Sequence, residues 1–146
     1  MPRELAPKIN LVQGVNRALH HGMEIDSNVV VLGQDVAQLG GVFRATEGLL
    51  DRFGADRVMD TPLAESGIVG CSVGMALYGL KPVAEIQFSG FAYQGFHQIE
   101  QHVSRYQNRS RGEYPMSLVI RMPYGGGVRA FEHHSESRES YFVHTP

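Results

Sequence analysis

Apolar positions along the chain switch between helical spacing and short runs typical of strands. From Ile9 to Met23, apolar residues recur every three or four positions, which predicts an amphipathic helix. The β-branched run Val29 to Leu32 ends at Gly33 and is typical of a strand covered on both faces. Further helices are expected over 47–53, 63–80, 91–108 and from about 135, with strands over 58–60, 82–88 and 117–122. This alternation predicts an α/β fold, a doubly wound and mostly parallel sheet with helices on both faces.

Two local signals set the expected bounds of the short helix over 47–53. Thr46 is predicted to be its N-cap, because a threonine hydroxyl can accept a hydrogen bond from a free N–H group of the first turn. Gly54 is expected to end it, since glycine adopts the backbone conformation that closes many helices.

Composition excludes several classes of protein. Thirteen Lys and Arg against fifteen Asp and Glu give a net charge of −2, so no excess of cations is available to bind a nucleic acid. The single cysteine, Cys71, forms neither an internal disulfide nor a cysteine-type zinc site, which suits a reducing compartment. The first five residues lack the apolar core of an export signal, and no apolar stretch is long enough for a membrane span. A cytoplasmic location is therefore expected, without a membrane or nucleic-acid partner.

Three segments are expected to share one edge of the sheet. They are 61–65 after the second strand, 87–94 after the third, and the loop 125–129 with the histidines that follow it. Ligands of open parallel sheets bind outside the carboxyl ends of the strands. A common site at this edge is therefore predicted.

Glu65 allows two interpretations from its position alone. It falls in the first turn of an otherwise uncharged helix, where a carboxylate often does no more than favour the positive end of the helix dipole. Alternatively, it is a half-buried carboxylate that exchanges a proton with a ring nitrogen of a ligand. The spacing of the residues leaves both interpretations open.

His133 and His134 follow a glycine-rich loop and are candidates for acid–base chemistry. No metal site is predicted, since the sequence lacks HExxH or an equivalent spacing of ligands. A pair of surface histidines without a role is the simpler alternative. Gly125 to Gly127 matches neither phosphate-binding glycine pattern, so nucleotide binding is not expected.

Five blocks together resemble a known family. They are GGVFR (40–44), DTPLAESG (60–67), PVAEIQF (82–88), RMPYGGG (121–127) and HHSES (133–137). In this order and spacing they resemble the β subunit of the thiamine-diphosphate-dependent 2-oxo acid dehydrogenases, over about Ile9 to the last residue. The resemblance implies the pyrimidine-binding domain of the transketolase-like superfamily and oxidative decarboxylation of pyruvate or of branched-chain 2-oxo acids. An acetoin-type substrate is a further possibility within the family.

The resemblance also implies roles for four residues. Glu65 matches the glutamate that hydrogen-bonds the aminopyrimidine of thiamine diphosphate and promotes its imino tautomer. Phe91 matches an aromatic residue on the pyrimidine face, and Gln94 matches a position that some members use near the ring. His134 matches the histidine assigned to acyl transfer to the lipoyl group. Some members have Gln where this chain has Glu136, which leaves the charge beside His134 open.

The family shares its cofactor between two kinds of chain. The α subunit holds the diphosphate and Mg²⁺ through a GDG…N motif, and no GDG occurs in this sequence. The resemblance therefore implies an α-subunit partner, a second β subunit in a heterotetramer, and a lipoyl acyltransferase core. Residues 1–146 are expected to be a truncated pyrimidine-binding domain without the C-terminal dimerisation domain, and to be inactive alone.

Two other functional classes remain as alternatives. One is a non-catalytic assembly or regulatory fragment that keeps the pyrimidine-binding fold; co-purification with an α-type partner separates it from the enzyme. The other is a stand-alone hydrolase that uses a histidine, which predicts esterase or metal-dependent activity from the isolated chain. We expect the sequence to lack the nucleophile elbow that such a hydrolase needs.

Overall fold

A four-stranded parallel sheet forms the centre of the computed structural model, which describes residues 8–146. The residues on which the absence of an export signal was predicted lie outside this range. The strands run in the order β2-β1-β3-β4, and every neighbouring pair is parallel. Their bounds are Val29–Gly33 (β1), Val58–Asp60 (β2), Lys81–Glu85 (β3) and Val119–Arg121 (β4).

The α-helices precede, connect and follow the strands along the chain. Their bounds are Leu11–Ile25 (α1), Leu49–Phe53 (α2), Glu65–Leu77 (α3), Tyr93–Gln98 (α4), Tyr106–Arg109 (α5) and Glu139–Val143 (α6). Short 3₁₀ turns cover Ser89–Phe91 and Glu132–His134. No helix among residues 8–146 combines the length and the apolar character needed to cross a membrane.

Apolar side chains of β1 point alternately to the two faces of the sheet, as the strand period requires. Val31 packs on one face with residues of α1 and α2, and Leu32 packs on the other face with residues of α3. The predicted α/β sheet with helices on both faces is therefore confirmed.

The helix predicted over 91–108 is wrong as a single element. A π-helical segment, Ile99–Val103, separates α4 from α5. The Ser104 hydroxyl donates to the carbonyl of Glu100 at 2.7 Å, and the Ser104 N–H donates one residue further back, to Ile99, at 3.0 Å. The Ser104 hydroxyl thus bonds the carbonyl that the Ser104 N–H would bond in an α-helix, and the N–H bonds the preceding carbonyl instead.

Thr46 is not an N-cap, contrary to prediction. Helix α2 begins at Leu49 after Gly48, which has a left-handed φ of 78°. The Thr46 N–H donates to Gly40 at 3.1 Å, which holds the residue against a glycine turn before the helix. Its buried hydroxyl finds no hydrogen-bond partner among the described residues. The predicted end of the helix at Gly54 is confirmed.

The third and fourth strands are shorter than the patterns predicted. β3 ends at Glu85 and not at Phe88, although the chain beyond it still follows its neighbour. The N–H of Ile86 donates to Arg121 at 2.9 Å and that of Ser89 donates to Pro123 at 2.8 Å. The chain therefore leaves regular strand geometry where it enters the predicted site.

Candidate functional site

The strand ends meet at one edge of the sheet. Gly33 is in register with both Asp60 and Glu85, and Glu85 is in register with Arg121. The segments that follow β2, β3 and β4 therefore leave the sheet side by side. This arrangement confirms the predicted common edge.

The carboxylate of Glu65 is buried at this edge, in the first turn of α3. The residue is only 2% exposed, and its Oε2 atom has no hydrogen-bond partner among residues 8–146. A carboxylate that serves only the helix dipole is normally left in water, because burial of a charged oxygen without a partner is strongly unfavourable. The burial therefore favours the interpretation in which Glu65 faces a ligand.

Gly95 explains why the start of α3 lies so close to α4. A Cβ atom at this position would lie 3.4 Å from the carbonyl oxygen of Glu65 and 3.2 Å from Cγ2 of Val69. The absence of a side chain at Gly95 keeps this close contact with the backbone of Glu65 uncrowded. Sequence reasoning missed this residue, and its only signal was a single glycine within a helical pattern.

Phe88, Phe91 and His134 form one aromatic cluster. The imidazole of His134 lies edge-on to both phenyl rings, with centroids 4.7 Å from Phe88 and 5.2 Å from Phe91. The two phenyl rings are themselves 5.8 Å apart at 89°. Edge-to-face pairs of this kind are favourable because the positive ring edge meets the negative ring face. The structure thus brings together two of the predicted site residues, 43 positions apart in the chain.

Gln94 and His134 present exposed side chains, whereas Phe91 is half-buried. Gln94 lies in the first turn of α4, beside Gly95, which packs against the backbone of Glu65. Its amide is free to contact a group that approaches from solvent or from another chain. Of the four predicted residues, only Glu65 is fully enclosed.

Glu136 is neutralised by Arg138. The two guanidinium nitrogens Nε and Nη2 donate to one carboxylate oxygen at 2.8 and 2.6 Å, and this hydrogen bond raises the pKa of Arg138 above its usual value. The other oxygen of Glu136 lies 3.8 Å from Nδ1 of His133. The negative charge left open by the sequence therefore faces Arg138 and His133.

A buried ion pair joins the ends of β3 and β4. The Glu85 carboxylate is 2% exposed and accepts a hydrogen bond from Arg121. Sequence reasoning missed this pair. The available signal was one charged residue at the end of each of two apolar strands that a parallel sheet places side by side.

An apolar groove of about 340 Å³ runs from α1 to the loop after β4. Its walls include Val12, Phe43, Phe88, Met122 and Tyr124, and His134 lies at its margin. We call this the His134 groove. It places the histidine between an apolar surface and solvent.

The glycine loop after β4 is fixed to the histidine segment by a backbone hydrogen bond. The N–H of Gly125 donates to the carbonyl of Glu136 at 3.0 Å, which ties the loop to the histidine segment. Within residues 8–146 no three His, Cys, Asp or Glu side chains come together as metal ligands.

One sequence expectation needs correction. The residues Gly70 to Gly74 do fit the GxSxG spacing of a hydrolase nucleophile elbow. They lie inside α3, however, and not in a strand-to-helix turn. Ser72 is fully buried and its hydroxyl donates to Ile68 at 2.8 Å. The hydrolase interpretation therefore lacks an accessible nucleophile at this position.

Comparison with known proteins gives the family. The family model described as "Transketolase, pyrimidine binding domain" matches residues 7–146. The chain belongs to this family. The predicted family resemblance is thus confirmed.

Curated relatives carry the comparison further. The chain is 54% identical over 142 residues to the 3-methyl-2-oxobutanoate dehydrogenase subunit β of Mycobacterium tuberculosis (strain ATCC 25618 / H37Rv), covering 97% of this chain and 41% of that protein. It is 51% identical over 138 residues to the pyruvate dehydrogenase E1 component subunit β of Acholeplasma laidlawii, covering 94% and 42%. It is 45% identical over 138 residues to the 2-oxoisovalerate dehydrogenase subunit β of Bacillus subtilis (strain 168), again covering 94% and 42%. The chain therefore spans about two fifths of the length of these relatives.

Proposed function

We propose that this pyrimidine-binding domain acts in the β subunit of a thiamine-diphosphate-dependent 2-oxo acid dehydrogenase. The observation that carries the proposal is the buried Glu65 carboxylate, whose Oε2 lacks a partner within residues 8–146. A ring nitrogen that carries a proton is the donor this oxygen needs. The identities to dehydrogenase β subunits support the same reading.

The residues at the sheet edge fit an aminopyrimidine. Glu65 would bond its ring nitrogen, Phe91 would pack on its face, and Gln94 would offer an amide at its rim. When bound, thiamine diphosphate supplies a carbon centre that attacks 2-oxo acids and stabilises the resulting negative charge. The part of Glu65 is to hold and move one proton at Oε2, at a position where the residue is only 2% exposed.

The diphosphate and its Mg²⁺ would be held by another chain. The sequence contains no GDG motif and neither common phosphate-binding glycine pattern. We therefore infer an α-subunit partner that completes the site, in a heterotetramer with a second β subunit. A cytoplasmic location is part of the same proposal.

His134 would serve the second half of the reaction. Its imidazole is exposed, lies against Phe91 and borders the His134 groove. An imidazole at such a position can donate the proton that the released sulfur takes up when the lipoyl disulfide is opened and its other sulfur is acylated, the disulfide being the oxidant of this step. The acceptor would be the lipoyl group of an acyltransferase core.

Either pyruvate or a branched-chain 2-oxo acid is the proposed substrate class. Relatives of similar identity carry names of both kinds, at 54% and 51%. Residues that choose between them belong in part to the partner chain, because the cofactor lies between the two.

The decisive experiment uses the full-length β subunit that contains this chain, expressed with and without its α partner. The readout is reduction of an artificial electron acceptor that depends on 2-oxo acid, thiamine diphosphate and Mg²⁺. We expect activity only from the α and β chains together. A stable complex that binds the cofactor but turns over no 2-oxo acid would instead favour a non-catalytic assembly module.

A further inference from the structure

The segment that carries His134 rests directly on the turn after β3. A Cβ atom on Gly90 would lie 2.2 Å from the carbonyl oxygen of His133 and 2.6 Å from its Cα. Both of these atoms are backbone, so a rotation of a side chain cannot relieve the clash. Gly90 has no positive φ, and the requirement for glycine is therefore one of space alone.

Ser89 ties the other end of the same segment. Its buried hydroxyl donates to the carbonyl of Glu136 at 2.7 Å, and the N–H of Gly125 donates to the same carbonyl at 3.0 Å. The backbone of Ser89 is fixed in turn, since its N–H donates to Pro123. Two adjacent residues thus hold the chain on both sides of His134.

The same turn also supplies the surface on which the imidazole rests. Phe88 precedes Ser89 and Phe91 follows Gly90, and both rings make T-shaped contacts with the imidazole of His134. Backbone position and ring orientation are therefore set by four consecutive residues. A displacement of about 1 Å at a reacting group can lower a rate by about 10²-fold.

We propose that Gly90 and Ser89 are positioning residues for His134, one by close contact and one by a hydrogen bond. This inference rests on the proposed function, which gives His134 its part in acyl transfer. It assigns a role to two residues that do not themselves touch the reacting atoms.

The test uses the assembled α and β chains with Gly90→Ala in the full-length β subunit. We expect acyl transfer to lipoamide to fall by about 10²-fold, while the Kd for thiamine diphosphate changes by less than about threefold. Gly74→Ala is the matched control, because a Cβ there meets nothing within 4 Å and the residue lies on the exposed side of α3. This control should retain the unmodified rate.

A double-mutant cycle separates positioning from general damage. If Gly90 acts through His134, then adding Gly90→Ala to His134→Ala should cause no further loss. A further fall in acyl transfer in the double variant, by the same factor that Gly90→Ala causes alone, would overturn the proposal. Ser89→Ala provides an independent variant should Gly90→Ala fail to assemble, and we expect the same non-additive pattern at a smaller size.

Hydrogen–deuterium exchange keeps this inference distinct from the proposed function. Gly90→Ala should speed exchange across residues 131–138 and leave α1 unchanged; unchanged exchange across 131–138 would refute the positioning role. If His134→Ala alone transfers acyl groups normally, the assigned part of His134 fails, and the exchange result still decides whether Gly90 fixes this segment.

Discussion

The imidazole of His134 lies edge-on to the ring of Phe91, with centroids 5.2 Å apart and planes at 85°. This contact joins the segment after β3 to the segment after β4. It means that a group stacked on the ring of Phe91 would lie within reach of the imidazole. The two residues therefore lie together at the edge of the sheet, and that they share one site with the buried carboxylate of Glu65 is our proposal.

Glu65→Gln should abolish most of the activity and spare the fold. Glutamine has nearly the same shape as glutamate but cannot hold the transferred proton, and loss of a positioned acid–base group typically lowers a rate by about 10²- to 10⁴-fold. The measurement is 2-oxo acid oxidation by the assembled chains, with circular dichroism as the check on folding. Near-normal turnover would contradict the proton-transfer role. Glu24→Gln, at an exposed ion pair on α1, is the matched control.

His134→Ala should affect acyl transfer more than cofactor binding. The imidazole borders the His134 groove and is exposed, whereas the proposed pyrimidine contacts are Glu65, Phe91 and Gln94. We expect a large fall in acyl transfer to lipoamide with an almost unchanged Kd for thiamine diphosphate. The result that would count against this role is a weakened cofactor affinity with normal transfer. His133→Ala is the comparison, since His133 faces Glu136.

Arg121→Met should destabilise the domain strongly. It leaves the buried carboxylate of Glu85 without its partner, and such a change typically lowers the free energy of unfolding by about 3–5 kcal/mol. The double variant Glu85→Gln with Arg121→Met should recover a large part of this loss, as no buried charge remains. Lys81→Met breaks the exposed pair with Asp26 and should change stability by less than about 1 kcal/mol. Denaturant unfolding of the β subunit measures all three, and equal losses at Arg121 and Lys81 would show that the burial of Glu85 has no effect.

Thr46→Val should leave stability unchanged or raise it by about 1 kcal/mol. The hydroxyl of Thr46 is fully buried and lacks a partner among the described residues, and valine replaces it with a methyl group of similar size. An N-cap role predicts the opposite sign, a loss of about 1 kcal/mol. The sign of the change in unfolding free energy therefore distinguishes an N-cap role of Thr46 from its position in the turn before α2.

The contact between α4 and α6 should weaken in alkali. The neighbouring hydroxyl of Tyr141, whose ring centroid lies 5.9 Å from that of Tyr93, raises the pKa of Tyr93 above its ordinary value of 10.0. The folded chain thus keeps the phenolic proton longer than the unfolded chain, so this stabilisation is complete below the ordinary pKa and is lost as pH rises through the raised pKa. Phenolate absorbance during a pH titration measures the effect. Tyr141→Phe should return the pKa of Tyr93 towards its ordinary value, and an unchanged titration would contradict an effect of the Tyr141 hydroxyl on Tyr93.

The pattern of apolar residues was sufficient for the elements and the class of fold. Periods of two and of 3.6 residues are local properties, and the strands at 29–33 and 58–60 and the helix α1 follow from them directly. The π-helical interruption before Ser104 and the late start of α2 after Thr46 did not follow from the pattern. Each depends on individual hydrogen bonds of one residue, which the spacing of apolar positions does not record.

Sequence alone marked Glu65, Phe91 and His134 as candidates, and the order of the motif blocks indicated the family. It could not decide whether the Glu65 carboxylate only favours the helix dipole or is buried and faces a ligand. That choice depends on the burial of the side chain, which is only 2% exposed in the folded chain and which tertiary packing alone decides. Three contacts arise only when the parallel strands are in register. They are the ring contact of Phe91 with His134, the ion pair of Glu85 with Arg121, and the close packing of Gly90 on the backbone of His133. Contacts between residues distant in the chain are fixed by the packing of the whole sheet, and no local pattern contains that information.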